Sequence, residues 1–590
     1  MANLAIIVHE GNPGPREHRL RRVLDFFGVP CKAVDVSELT DMDWSSTEYA
    51  IFGSIQAVAT TVNQLEGASP MDSRPAAFYA YADDNRSLCA RALQSLFRDA
   101  NLSLQDAPVG NLSLCVSGET GIAGPMAALK VSSQLRSEDA VLISAPSEGE
   151  SKFAAVISAG GAPVFLRSRQ KAAPVFFCTS SQMIDIDQPV GQGFYDVKAH
   201  FCSVVPLVMF IRFMFPNVSW RPQELGACMI IDDALLRPRY GFCDFAKLRD
   251  LMRRYGFTTN IAFIPWNWRR TSPADGDFFR NEAELFSVSI HGCDHTAGEF
   301  GTNLLEVLHS RARLAQTRMR NHEARTGIRH DPIMVFPQGA FSSACPEVLK
   351  RTGFLAAVNT EIVPVDFRNA RTRIRDVWDV AIMTYDGFPI FTRRYAFHGL
   401  ENFAFDLLLG KPCLIAAHHD FFKDGGVGLI ELVDKIAALN CGLRWRPLGH
   451  VIRRACRRRA NGINAEEVEM YGNELMIGNV SDQTIEVRVR KRTSQEDLIA
   501  KIVCDEKAVS WTTEDEHLVF GERIQPRSEK CFRVVYHEQP HAGQASRSLR
   551  FEMAVAARRV LSEFRDVYLS RSDFLSSHAG RLKNVLKKAI

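Results

Sequence analysis

The 14 cysteines of this sequence include no C-x-x-C pair. That excludes a zinc ribbon and a thioredoxin-type motif, and so small a share is ordinary for a reduced intracellular protein. Charge of one sign is not in excess either: 71 Lys+Arg stand against 68 Asp+Glu, a net +3. Near balance over this length removes any global argument for a nucleic-acid partner. Long apolar runs are missing. The N-terminus, Met1-Ala-Asn-Leu-Ala-Ile-Ile-Val-His9-Glu10, has no basic lead-in and too short an apolar stretch for a signal segment. Residues 201–215 contain Pro206 and Arg212 and fall short of the ~20 apolar residues a span needs. A buried or interdomain helix is expected there, in a cytoplasmic protein without a transmembrane segment. The first turn, Glu10-Gly-Asn-Pro-Gly-Pro15, is neither GxGxxG nor a P-loop, so a structural βα turn is expected rather than a phosphate cradle.

What is present is a 46% hydrophobic chain of 590 residues, enough for roughly three to four domains. Residues 1–200 alternate short apolar runs with amphipathic stretches such as His18–Phe27. This predicts a doubly wound α/β domain with a parallel sheet.

Residues 220–455 carry the chemistry. The run Cys228–Ile231 reads as a buried strand and ends in Asp232-Asp233. Two carboxylates would not be tolerated unpaired inside a strand, but at its C-terminal end they can face a site. About sixty residues on, the strand-like Phe286–Ile290 runs into His291-Gly-Cys-Asp-His295. Two histidines and one carboxylate suit zinc or another first-row divalent ion with open positions, leaving the second carboxylate as a base. Between them, Trp266, Trp268 and Arg269 follow the strand Thr259–Ile264, where they suit sugar stacking and anion contacts. A strand at 333–336 ends in Pro337-Gln338-Gly339, and one at 412–417 ends in His418-His419-Asp420. All these groups sit at strand C-termini in a β/α alternation, where barrel sites collect.

These residues resemble the polysaccharide deacetylases, the NodB-type carbohydrate esterases, over about 230 residues. The resemblance rests on Asp232-Asp233 after a strand and on His291-x-x-x-His295. It implies a distorted (β/α) barrel, Asp232 as base, and Asp233, His291 and His295 as ligands of a divalent metal, zinc by expectation. The third motif, Arg-x-Pro-aromatic-Gly, is kept only at Pro337 and Gly339; Val335 replaces Arg and Gln338 the aromatic. A backbone N–H at Gln338 is the implied oxyanion donor, and nothing in the motif is left to position the base. The fourth motif matches weakly at Arg375-Asp-Val-Trp378-Asp379. The fifth places the general acid at His418 or His419, with the His-Asp pair favouring His419. The implied reaction is metal-assisted removal of N-acetyl or O-acetyl groups from a sugar, expected as a nucleotide- or lipid-linked precursor. Rival expectations are a hydrolase of another small amide and a non-catalytic sugar-binding or scaffolding protein. Region 1–200 loosely resembles class I glutamine-amidotransferase-like domains in strand order and length. No G-x-C-x-G elbow surrounds Cys115 or Cys178, so a non-catalytic domain is expected.

After the cluster Arg453 to Arg459, expected as a solvated linker or helix end, residues 463–540 show alternating runs and polar turns. They predict a small antiparallel β-sandwich. Residues 550–590 predict an amphipathic C-terminal helix with Val560, Leu561, Phe564, Val567 and Tyr568 on one face and Lys583, Lys587 and Lys588 at its end. Packing of that face on the protein body is expected, with peripheral membrane contact or a partner helix as the alternative.

Overall fold

The chain is described by a computed structural model covering residues 1–41, 48–67, 75–98, 102–106, 110–144, 152–169, 173–191, 193–366, 371–493, 499–537 and 548–567. The first sheet has nine strands. Leu4–His9, Cys31–Asp35, Tyr49–Ser54, Ala77–Tyr81 and Val175–Cys178 pair in parallel. The expected parallel sheet stops there: 162–168, 153–159, 111–116 and 130–134 extend it antiparallel. The cause is local. Parallel neighbours need a crossover of a dozen residues, whereas Gly160-Gly161, both at positive φ, turn the chain directly back.

The turn after the first strand is structural. The Gly11 N–H donates to Asp35 and the Gly14 N–H to Glu17, so carboxylates of the chain itself occupy the places a phosphate would take. Cys178 is buried and its thiol is pushed up to about 12 by burial. Cys115 lies inside a strand, not at an elbow.

The helix Phe201–Met214 is the buried connector expected of residues 201–215. Val197–Met214 is long and apolar enough to cross a membrane, yet 72% of it is buried. Its side chains share one continuous core with the first sheet and the following domain.

That domain is a nearly closed, parallel, barrel-like sheet. The strand order is 390–392, 356–359, 333–335, 286–291, 259–263, 226–232, 413–417, 394–395. Strands at 390–392 and 394–395 lie at the two ends of this path yet adjoin in sequence. The chain therefore closes the sheet across one residue, Arg393.

The last domain packs a six-stranded on a four-stranded sheet around Val468, Leu475, Phe520 and Phe532. Two expectations are corrected. The sandwich is not wholly antiparallel, because 465–470 pairs in parallel with 485–492. The arginine cluster is only in part a helix end: Arg453 and Arg454 close the helix Leu448–Arg454, but Cys456–Ala460 is a strand paired to 465–470. Arg457, Arg458 and Arg459 are matched there with Glu469, Glu466 and Glu467. Cross-strand charge pairing of this kind turns a polar cluster into sheet.

The C-terminal helix is described over Leu549–Val567. Tyr568, Lys583, Lys587 and Lys588 lie outside the described residues. The helix does pack on the body, but not by the expected apolar face. Val555, Arg559 and Asp566 are buried, while Val560, Leu561 and Phe564 are about half exposed. Its carboxylates find fixed cationic and hydroxyl partners on the barrel, and these set its orientation.

Candidate active site

The eight strands of this path pair in parallel and bring their C-terminal ends to one end of the barrel. Asp232 ends the strand 226–232 and Asp233 follows it in a left-handed conformation, φ +68°. A side chain there is strained by about 1–3 kcal/mol, and the strain turns Asp233 toward the histidines. Its Oδ1 lies 3.4 Å from His291 Nε2 and 2.9 Å from His295 Nε2. That oxygen is buried without a hydrogen-bond partner.

The two imidazoles reach it by different routes. His291 ends the strand 286–291, and its Nδ1 lies 2.9 Å from the Val335 carbonyl. With the proton on Nδ1, that nitrogen donates to the carbonyl and the Nε2 lone pair faces Asp233. His295 sits at φ +58° in the next loop. The buried Glu299 carboxylate ties this loop by accepting from the N–H groups of Cys293, Asp294 and His295. Gly292, at φ +64°, is required: a Cβ would stand 1.9 Å from Glu299 and 2.5 Å from Pro337.

One ligand atom from each of Asp233, His291 and His295 falls within 4.8 Å of the others. A buried carboxylate oxygen without a hydrogen-bond partner, facing the Nε2 atoms of two imidazoles, fits a divalent cation.

Asp232 points elsewhere. Arg393, at the barrel's closing seam, grips both its oxygens at 2.7 and 2.6 Å. Burial opposes the charge on Asp232, but Arg393 and His291 outweigh it and hold the carboxyl below its usual range. Asp233 is also buried, and His291, His295 and His418 hold it well below that range. Position 335 carries Val, and the arginine beside Asp232 comes instead from the single residue between the strands 390–392 and 394–395. No motif marks Arg393. Its signal is a charged residue following the apolar run Phe388–Thr392, the same signal that picked out Asp232.

The two histidines after the strand 413–417 part company. His418 Nε2 lies 3.2 Å from Asp233 and its Nδ1 3.5 Å from Asp420. Burial would lower it, but these carboxylates push it up to about 10. His419, which the His-Asp pairing favours, is buried facing away: its Nε2 lies 3.5 Å from Asp566 of the C-terminal helix, and its ring packs on Tyr240 and Phe242. The His-Asp pair at the site is His418 with Asp420.

The C-terminal helix belongs to the rim. Asp566 accepts from Tyr240 at 2.9 Å, and Glu563 binds Arg237 and Arg270. These partners follow the strands 226–232 and 259–263. No sequence signal links them to residues three hundred positions away.

Among the aromatic and basic candidates, the Trp266 N–H donates to the Cys293 carbonyl, so Trp266 borders the His291–His295 loop. Trp268 carries Arg269 over its ring at 4.5 Å, and its carbonyl is held by Arg325. Pro337 adjoins Gly292, Gln338 is exposed at φ +58°, and the Gly339 carbonyl is held by Asn359. The weak fourth motif is not at the site. Asp376 caps its own short helix, Trp378 is buried against Phe26 and Phe405, and Asp379 pairs with Arg457. The segment builds the domain junction instead.

No family model matches the chain, and no curated protein matches it. Solved structures that align with it include a family 4 carbohydrate esterase from Streptomyces lividans, at 15% identity over 38% of this chain and 91% of that one, TM-score 0.22. The catalytic domain of a peptidoglycan N-acetylglucosamine deacetylase from Eubacterium rectale aligns at 14% identity over 39% and 90%, TM-score 0.23. A chitin deacetylase from Colletotrichum lindemuthianum aligns at 14% identity over 39% and 88%, TM-score 0.25. Likenesses this distant carry no weight beside the residues themselves.

Proposed function

We propose that the barrel is a metal-dependent hydrolase that removes acetyl groups from an acetylated sugar. The observation that carries this reading is the separation of roles between the adjacent carboxylates: Asp233 converges with two imidazoles, while Asp232 is gripped by Arg393. A divalent cation held by Asp233, His291 and His295 supplies Lewis acidity toward the acyl oxygen and a lowered pKa for water; zinc suits the ligand set.

Asp232 takes the proton of the attacking water. Both its oxygens accept from Arg393, yet each keeps a lone pair for that proton. Arg393 holds the carboxylate ionised and fixes its direction. His418, an imidazolium oriented by Asp420, donates a proton to the leaving amine or alkoxide. A positioned acid or base of this kind contributes roughly 10²–10⁴-fold. The left-handed turn at Gln338 offers a backbone N–H to the developing oxyanion. Trp266, Trp268 and Arg269 form a sugar-facing rim, and the substrate is a nucleotide- or lipid-linked precursor met in the cytoplasm.

Arg393 also weakens the case for a non-catalytic barrel, because the altered third motif costs the base nothing it needs. The test is acetate release from a panel of acetylated sugars, with chelator and with added divalent ions. Asp232→Asn is expected to keep metal and lose turnover, and His291→Ala to lose metal. Turnover indifferent to chelator, or none on any acetylated sugar in the presence of metal, overturns the reading.

A further inference from the structure

The C-terminal helix has two working faces. One carries Val555, Arg559, Glu563 and Asp566 and is seated on the barrel rim, with Val555, Arg559 and Asp566 at 2%, 4% and 3% exposure. The other is apolar and turned outward. Leu549, Met553 and Val560 recur at helical spacing with exposures of 79%, 65% and 58%, and Leu561 adjoins them at 48%. A stripe of large apolar residues in water is unfavourable unless something covers it.

Charge selects the cover. Arg550 and Arg558 lie along this helix with Glu552, Arg565 pairs with Asp566, and in sequence residues 568–590 add Arg571, Arg581, Lys583, Lys587 and Lys588 against Asp573 alone. A second copy of the helix laid on the stripe would bring two arginine rows together. The following segment, folded back, would do the same. An anionic lipid surface takes the apolar stripe into its acyl boundary and the cations onto its headgroups.

We infer that the helix 549–567 docks this protein on anionic membrane surfaces, its carboxylate face held to the barrel and its apolar face in the lipid. The docking places the barrel mouth beside the bilayer. It does not depend on the hydrolase reading, since membrane binding is scored without substrate.

The test is co-sedimentation of the full chain with vesicles of phosphatidylcholine alone and with about one third phosphatidylglycerol. Binding to the anionic vesicles, weakened by salt, is expected. Met553→Glu/Val560→Glu is expected to lower it roughly tenfold or more, given the apolar burial lost. Arg550→Glu/Arg558→Glu leaves the apolar face intact and is expected to lower it as well. Acetate release from a water-soluble sugar, assayed in parallel, is expected to be unchanged in both. Absence of vesicle binding, or binding that neither variant alters, overturns the inference. So does a dimer that Met553→Glu/Val560→Glu dissolves, because the face then belongs to a second copy.

Discussion

Arg393 and Asp232 form the ion pair on which the proposed chemistry turns, and it is a buried pair. Removing one partner of such a pair leaves an uncompensated charge, at a cost of about 3–5 kcal/mol. Arg393→Met is therefore expected to lower stability by that amount in chemical denaturation and to lower acetate release about 10²-fold, with metal retained. Arg393→Lys recovers part of the stability and little of the activity, since a point charge cannot hold both oxygens. A second prediction concerns protons. In the metal-free protein His291 is raised and His418 is pushed up to about 10 by their carboxylate neighbours. Raised folded-state values mean that these histidines contribute stability fully below their ordinary 6.5. That stability is lost as pH climbs through the folded-state values. Melting of chelator-treated protein should fall between pH 7 and 10. Metal affinity should rise over the same interval, because the cation then displaces fewer protons; calorimetry in two buffers of different ionisation enthalpy counts them.

At the scale of the element, the loop 291–299 is held by one glycine and one buried carboxylate. Gly292→Ala places a methyl group against Glu299 and Pro337 at a left-handed φ. It is expected to weaken metal binding by roughly 1–3 kcal/mol while far-ultraviolet circular dichroism stays unchanged. Strand–turn elements of this kind were legible in the sequence. Apolar runs ending abruptly in Asp232-Asp233, His291 and His418 fall at strand ends because buried backbone tolerates no unpaired charge. Less legible were elements whose partners lie far along the chain. The arginines 457–459 read as solvated until the glutamates of 465–470 pair across them. The C-terminal helix showed its apolar stripe in the sequence, but the stripe alone could not tell which face docks. Four carboxylate contacts on the barrel rim decided that. Likewise, His419 faces Asp566 and leaves His418 facing Asp233, and no spacing connects residue 566 to residue 419.

The whole molecule is joined by polar groups as much as by its shared core. Lys491 of the sandwich is buried at the junction with the barrel, its ammonium donating to the Tyr471 carbonyl. Burial, reinforced by Lys350, lowers it to about 7. A lowered lysine contributes stability above its ordinary 10.5, and that stability is lost as pH falls through 7. Lys491→Met should therefore raise the melting temperature near pH 7 and below, with the gain shrinking toward pH 10; thermal scans across that range measure it. Arg394 serves a parallel purpose, gripping Asp406 within the barrel and the Tyr195 carbonyl ahead of the connecting helix.

Arg394 and Arg393 are neighbours on the segment that closes the sheet. One ties the barrel to the domain before it, and the other aims the proposed base. The proposed metal ligands Asp233, His291 and His295 all precede that seam in the sequence. The segment that closes the ring thus also orients the proposed base, but supplies none of the proposed metal ligands: in a molecule opened at 390–395, Asp232 would lack its arginine while Asp233, His291 and His295 remained. Where the sheet meets its own other edge, the direction of Asp232 is fixed as well.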